Sequence, residues 1–353
     1  MIRESIQKLV DGADLTHEES TASMKEIMSG EATNAQIGAF LTALRTKGET
    51  TKEITAFTSV MKECCNKIHP KVKGRLVDTC GTGGDKLKTF NISTTAAFVA
   101  AGNNVAVAKH GNRSVTSKSG SADVLERLGL NLSIEPEKVE RAIEKVGIGF
   151  MFAPAFHPAM KYAIGPRREV GIRTVFNVLG PLTNPADANA QVLGVYEPKL
   201  TEPLANSLKS LGCKEAMVVH GLEGLDEIST IGKTQISLLR NNEVTTKEMS
   251  PEDFGVKKAK LEDIKGTTPE ESAEITFKIL NGFLKADDPK REIVQVNGAA
   301  AIIVAGKAED FSYGVEAAKE SIESGNAYKK LKELVKFSGG DLSKLEMLEK
   351  KHA

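Results

Sequence analysis

The sequence predicts an α/β fold with a smaller all-helical N-terminal domain and a largely parallel central sheet. Three observations carry that expectation. Apolar residues over 1–67 recur at helical spacing with no strand pattern between them. From Leu76 onward, short apolar runs alternate with amphipathic stretches, the punctuation of βαβ units. The chain's 353 residues also exceed the usual size of one core, so a large unit with a smaller one is the natural division.

The helical segment is read from Ile6, Leu9 and Val10, then Ile27 and Met28, then Ile37, Phe40, Leu41 and Leu44, then Ile54, Phe57, Val60 and Met61. Thr16 with Glu19, Thr33 with Gln36 and Thr50 with Glu53 mark helix starts, because hydroxyl and carboxyl or amide together satisfy backbone donors left free there. About four short helices are expected. His69-Pro70 and the basic stretch Lys71 to Arg75 read as a linker. The expected division is therefore 1–70 and 71–353, with part of the crossover 157–187 rejoining the helical domain.

Strands are expected at Leu76-Val77, Val105 to Ala108, near Phe150, Gln191 to Tyr196 and Glu215 to His220. Helices are expected between them, at Thr95 to Ala101, Ala122 to Leu128, Glu137 to Val146 and Glu202 to Leu211. Pro158 to Pro185 is dense in glycine and proline without a strand pattern, and reads as a crossing between domains or a lid. A two-strand stretch (Gln235 to Leu239, Val244 to Glu248) and three C-terminal helices are expected to complete the chain.

Composition excludes several function classes. Forty-seven basic and 47 acidic residues cancel, which leaves no global attraction to nucleic acid or to an anionic membrane. Without tryptophan, and with 5% aromatic residues, stacking platforms for single-stranded nucleic acid are not expected. No apolar run approaches the roughly 20 residues needed to span a bilayer, so a soluble, cytoplasmic protein is expected. Cys64, Cys65, Cys80 and Cys213 show neither disulfide nor metal-ligand spacing and are expected as reduced thiols.

The chemistry-bearing segments cluster around strand ends. Gly81-Thr82-Gly83-Gly84-Asp85 follows a predicted strand, and Asn91-Ile92-Ser93-Thr94 opens a helix. Glycines admit close backbone approach and positive φ, and free N–H groups at a helix start donate to phosphate, so an anion cradle is expected. A purely structural turn is the alternative. Neither the Walker pattern nor the dinucleotide pattern fits, because Lys86 stands where the latter needs its last glycine.

Lys109-His110-Gly111-Asn112-Arg113-Ser114-Val115-Thr116-Ser117 also follows a strand. Lys109 and Arg113 offer positive charge, and Ser114, Thr116 and Ser117 offer hydroxyls, to grip a diphosphate, unless this is only a solvated basic loop. Ser119 to Asp123 adds a helix start. His110 lacks a visible carboxylate partner and is not expected to act as an acid or base. Asp226-Glu227 places two hard oxygen donors together, suited to Mg²⁺ beside substrate phosphates, with a capping or solvated pair as the alternative. Arg167, Arg168 and Arg173 in the crossover are candidates to orient a carboxylate, against the commoner fate of a surface ion pair.

Together these segments closely resemble the anthranilate phosphoribosyltransferase family. The resemblance rests on GTGGD at 81–85, TFNIST at 89–94, KHGNRS at 109–114, SGSADVLE at 119–126, HPAMK at 157–161, GIRTVFNVLGPLTNP at 171–185 and DE at 226–227, in family order. It implies a phosphoribosyltransferase-like architecture, similar also to the nucleoside phosphorylases, and a cytoplasmic homodimer. The implied reaction joins anthranilate and 5-phosphoribosyl 1-diphosphate with Mg²⁺, two ions per monomer.

By that likeness Gly81, Gly84, Asp85, Thr89, Asn91, Ile92, Ser93, Thr94, the stretch Lys109 to Ser117 (His110, Gly111 and Val115 included) and Ser121 hold the donor. Ser93, Asp226 and Glu227 hold the metal. Gly81, Asn112 and Arg167 contact anthranilate, Arg167 orienting its carboxylate, with His157 and a Gly180-Pro181 turn shaping the wall. Lys109 lends electrostatic support, and no protein nucleophile is implied. One departure is Lys86, followed by Leu87 and Lys88, where the family has glycine after GTGGD.

Two rivals are weighed at this point. A pyrimidine nucleoside phosphorylase would need phosphate instead of magnesium diphosphate, and the KHGNRS and DE motifs disfavour it. A nucleic-acid-binding relative without the transferase reaction is disfavoured by neutral charge and the intact motif set.

Overall fold

In the computed structural model the described residues are 1–352 apart from Asp85, Lys86, Lys88, 115–118 and Thr267. Four helices come first among them: α1 (Ile2–Val10), α2 (His17–Ser29), α3 (Asn34–Lys47) and α4 (Thr51–Glu63). All three threonine signatures form reciprocal capping boxes at the starts of α2, α3 and α4. Local sequence alone therefore sets where these helices begin.

The chain then alternates: β1 (Leu76–Gly81), α5 (Ile92–Gly102), β2 (Ala106–Gly111), α6 (Ser121–Arg127), α7 (Pro136–Val146) and β3 (Ile148–Phe152). The crossover carries α8 (Ala153–Phe156), α9 (Lys161–Val170) and α10 (Phe176–Leu182). Next come β4 (Ala190–Gly194), α11 (Thr201–Ser210), β5 (Glu215–Gly221), β6 (Thr234–Arg240) and β7 (Glu243–Met249). Helices α12 (Pro269–Leu280), α13 (Pro289–Val304), α14 (Phe311–Glu323), α15 (Asn326–Ser338) and α16 (Ser343–His352) close the chain.

Among the described residues the strands form one seven-stranded sheet in the order β3-β2-β1-β4-β5-β6-β7. The pairs from β3 to β5 are parallel, and β6 and β7 add an antiparallel edge. Alternate strand residues feed opposite faces. Val192, Met217 and Val219 join the core beneath α5 and α13, whereas Leu193, Ala216 and Val218 join the one beneath α4, α10 and α11. Burial on both faces explains why these strands read as continuous apolar runs.

Two sequence expectations are corrected. Five α-helices, not three, follow the sheet among the described residues. The breaks fall at Gly282, Gly306, Gly325 and Gly339, whose φ values of 72°, 74°, 73° and 73° lie in the left-handed region that ends helices. The Gly/Pro-rich crossover is helical, with Pro166 inside α9 and Pro181 inside α10 masking the pattern, so Gly180-Pro181 lies in a helix and not in a turn. Helix α9 packs on α2 and α3, which ties the crossover to the N-terminal helices.

Candidate active site

Sheet order locates the site before any side chain is considered. From β1 the chain proceeds through α5 to β2 and β3 on one side, then crosses to β4 and β5 on the other. Connections diverge between β1 and β4, and ligands of open α/β sheets bind at the strand carboxyl ends of such a switch point. Gly81 and Gly194 are register partners at those two ends.

The loop that follows β5 requires the glycine at 194 and lies close against the one at 81. A β-carbon on Gly194 would stand 1.6 Å from the Asp226 carbonyl oxygen, and one on Gly81 would stand 2.8 Å from Asp226 Oδ2. The Asp226-Glu227 pair is thus packed directly onto the switch point. The Thr82 N–H donates to the Gly194 carbonyl (2.9 Å) and the Gly83 N–H to Asp226 Oδ2 (3.0 Å). Gly83 and Gly84 take φ of 67° and 83°, the region glycine favours. Arg173 donates to the Gly84 carbonyl (2.6 Å) and lies 4.4 Å from the centre of the Tyr196 ring. Sequence reading offered Arg173 to a carboxylate; here it holds the glycine turn.

At the start of α5 the Ser93 N–H donates to Glu227 Oε1 (3.1 Å), so a carboxylate occupies the helix N-terminus where an anion was expected. Ile92 N–H bonds the Phe90 carbonyl, the Thr79 hydroxyl bonds the Ser93 carbonyl (3.1 Å), and Thr94 is buried. Asn91 exchanges bonds with Ser119 (2.9 and 3.3 Å), and Thr89 bridges Lys265.

The donor set suits a hard divalent cation. Asp226 is half-buried, burial pushes its carboxyl above the usual range, and no cation contacts it among the described residues. Ser93 and Glu227 are brought together beside it. Among the described residues no group of three or more His, Cys, Asp or Glu side chains forms a metal cage. Two neighbouring carboxylates match part of the way Mg²⁺ is usually held, by one or two carboxylates together with substrate phosphates.

Beneath the turn lies a buried polar cluster. Lys109, 2% exposed, donates to the Thr79 carbonyl and faces Asp78, which also accepts from the His110 N–H (3.2 Å) and Asn184 Nδ2 (2.8 Å). Burial pushes Asp78 up to about 6 and Lys109 down, and their attraction opposes both shifts. Lys109 is therefore a buried strand residue and not part of a solvated loop. Ring centroids of His110 and His157 are 5.0 Å apart, and each Nε2 is buried without a partner among the described residues. Burial first, then mutual proximity, takes His110 down to about 3; burial takes His157 down to about 4. Both rings are neutral at pH 7.

The following loop is more engaged with protein than its sequence suggests. Arg113 pairs with Asp123 and Glu126 (2.9 and 2.8 Å), and Ser114 N–H donates to Asp123 Oδ2 (3.1 Å). Asp123 also takes the Gly120 N–H (3.0 Å), so the start of α6 is already capped by its own carboxylate. Asn112 accepts from the Arg113 N–H through Oδ1 (2.7 Å) and from the Ser121 hydroxyl through its carbonyl (3.3 Å). Gly111 is crowded by Ser121 and Phe150, leaving no space for a β-carbon. The expected ligands Asp85, Val115, Thr116 and Ser117, and the unusual Lys86, lie outside the described residues.

Arg167 is half-buried at 5.0 Å from the centre of the Phe176 ring, without an ion pair among the described residues. Burial lowers its pKa. A partly desolvated guanidinium of this kind has the chemistry to pair with a carboxylate.

Sequence reasoning missed Gly194 and gave Asp78 and Asn184 no role of their own. Gly194 had a visible signal, a glycine closing a strand; the Asp78-Asn184 bond spans 106 residues and had none.

Residues 73–328 match the glycosyl transferase family α/β domain, and residues 3–65 match that family's helical bundle domain. The chain is 53% identical over 347 residues to an anthranilate phosphoribosyltransferase of Acetivibrio thermocellus, covering 98% of this chain and 99% of that one. The crystal structure of anthranilate phosphoribosyltransferase from Thermus thermophilus aligns with a TM-score of 0.89 at 41% identity, covering 95% of this chain and 99% of that one. The Saccharomyces cerevisiae enzyme in complex with phosphoribosyl diphosphate and Mg aligns with a TM-score of 0.87 at 28% identity, covering 96% and 98%.

Proposed function

The chain belongs to the anthranilate phosphoribosyltransferase family, and from that premise we infer how its residues carry the reaction. It transfers the phosphoribosyl group of 5-phosphoribosyl 1-diphosphate to the amine of anthranilate, in tryptophan biosynthesis, and uses magnesium. The observation that supports the site assignment best is the meeting of the glycine turn, the start of α5 and the Asp226-Glu227 pair at the β1–β4 switch point.

In this reading the donor lies over Gly81 to Gly84 and the start of α5, with Lys109 beneath contributing positive charge. Ser93, Asp226 and Glu227 would hold the Mg²⁺, two ions per monomer, which would supply positive charge to offset that of the departing diphosphate. Arg167 pairs with the anthranilate carboxylate and, with Asn112, sets the amine facing the anomeric carbon. As the C–O bond to diphosphate breaks, its electron pair leaves with the diphosphate. The amine lone pair forms the new C–N bond, and the surplus proton passes to solvent. An aniline-type amine is already a free base at neutral pH, so the protein contributes orientation and electrostatics in place of a general base. The neutral state of His110 and His157 supports this, since neither adds a charge near the developing cation.

A cytoplasmic homodimer is also proposed. The exposed Tyr162 and Ile164 of α9 support the dimer, and no helix among the described residues is long and apolar enough to cross a membrane.

The test follows anthranilate fluorescence with donor and Mg²⁺ each omitted in turn. Loss is expected only with both present, and loss that persists without the donor defeats the reading. Arg167→Ala is expected to raise the anthranilate KM about 10-fold or more at nearly constant kcat, the size of a lost charge-assisted bond.

A further inference from the structure

Helix α13 is apolar where it backs the sheet: Ile293, Val294, Val296 and the stretch 299–304 are all buried. Asn297, 2% exposed, interrupts that surface. A buried amide is costly unless its donors and acceptor are matched, so its partners indicate what it is for. Its Oδ1 accepts from the Ile228 N–H (3.0 Å), and its Nδ2 donates to the Ile228 carbonyl (3.0 Å) and to the Ile293 carbonyl (2.8 Å). One side chain thus grips both backbone groups of the residue that directly follows Asp226-Glu227.

We propose that Asn297 is a positioning residue that sets the carboxylates of Asp226 and Glu227 in their metal-binding posture. Upstream, the loop is fixed where the Asp226 carbonyl abuts Gly194. Downstream, Asn297 fixes it at Ile228. Between those two anchors lies Glu227, and the side chains of the pair reach the N–H groups of Gly83 and Ser93. The helix bearing Asn297 is also seated on α5, where a β-carbon at Gly298 would stand 3.1 Å from Val99 Cγ1. The same rigid element therefore references the loop to the helix that carries Ser93. Side chains of this dimension that offer a donor and an acceptor together are amides, which is why an apolar residue of equal volume would fill the space without holding the loop.

The proposal rests on the reading of Asp226 and Glu227 as metal ligands, and the test separates the two. Mn²⁺ is titrated into the full chain with inorganic diphosphate present, free Mn²⁺ being read by electron paramagnetic resonance. Kinetic constants for anthranilate and thermal midpoints are measured in parallel. Asn297→Ala is expected to weaken Mn²⁺ binding about 10- to 100-fold, the usual effect of removing a group that orients metal ligands, with the anthranilate KM within about twofold. Asn297→Asp keeps the volume and the acceptor but loses both donors, is expected to weaken Mn²⁺ binding likewise, and serves if the alanine variant folds poorly.

Ser321→Ala removes the buried bond from α14 to the Val99 carbonyl of α5 (2.7 Å) and is expected to lower the midpoint while keeping Mn²⁺ affinity. Unchanged Mn²⁺ affinity in both Asn297 variants, with binding lost in Asp226→Asn/Glu227→Gln, overturns the proposal. An equal Mn²⁺ loss in Ser321→Ala also overturns it. Unchanged affinity in the double carboxylate variant overturns the metal reading beneath it.

Discussion

The two ends of one sheet treat charge in opposite ways. At the amino ends, Glu215 at the start of β5 is 4% exposed and receives Arg240 through two nitrogens (2.8 and 2.6 Å) and Arg75 on its other oxygen. Arg75 also donates to the Val304 carbonyl, so the amino-end cluster is saturated. At the carboxyl ends, Asp226 has a backbone donor and no contacting cation among the described residues. There too, Lys109 is buried on a carbonyl, and two histidines keep buried Nε2 atoms without partners among the described residues. Saturated polar groups hold a fold together; unsaturated ones cost stability and persist where a ligand completes them. That contrast sets these two clusters apart, and buried polar atoms without partners occur elsewhere too among the described residues, at Ser20, Ser272, Arg291 and Gln295.

Variants at each end test the contrast. The largest effect is expected from Asp226→Asn with Glu227→Gln: turnover falls about 100-fold or more and loses its magnesium dependence, while the thermal midpoint holds or rises because the buried Asp226 charge, whose burial outweighs its bonds, is gone. A lowered midpoint with normal kinetics would invert the comparison.

Glu215→Ala should do the reverse. Stranding Arg75 and Arg240 destabilises by about 2 to 3 kcal/mol, discounted for the partial exposure of both arginines, with kcat and KM unchanged below the midpoint. Denaturant unfolding beside steady-state kinetics reads both quantities.

The smallest effect is a pH dependence from the carboxyl end. His157 sits at about 4 in the folded chain against 6.5 for the free group, so on acidification the unfolded chain binds its proton first. Stability present above about 6.5 is therefore lost as pH falls toward 4. Replacing His157 with Asn should shrink the stability lost between pH 7 and pH 5 by about 1 to 2 kcal/mol. Identical losses in variant and parent would show that this ring is not held neutral by burial.

What the sequence disclosed divides along the same line. Features fixed by neighbours in the chain were legible: the capping boxes at Thr16, Thr33 and Thr50, the two-sided apolar strands, and the glycine turn before a helix. Arrangements made by distant chain segments were not. Arg173 reaches the Gly84 carbonyl across 89 residues, a bond that nothing in the local sequence announces. Gly194 is needed only because Asp226, far along the chain, packs against it. The Gly/Pro-rich crossover misled because Pro166 and Pro181 sit inside helices, where periodicity is the weaker guide. Glycine stops among the C-terminal helices were visible but not used, hence the three helices expected in place of five.

Anomalous diffraction from crystals grown with phosphoribosyl diphosphate and Mn²⁺ tests the central claim most directly. The account predicts peaks bound by the carboxylates of Asp226 and Glu227, with the diphosphate over Gly81 to Gly84 and the start of α5. Peaks and diphosphate elsewhere, with that pair still bonded to Gly83 and Ser93 as here, would contradict it.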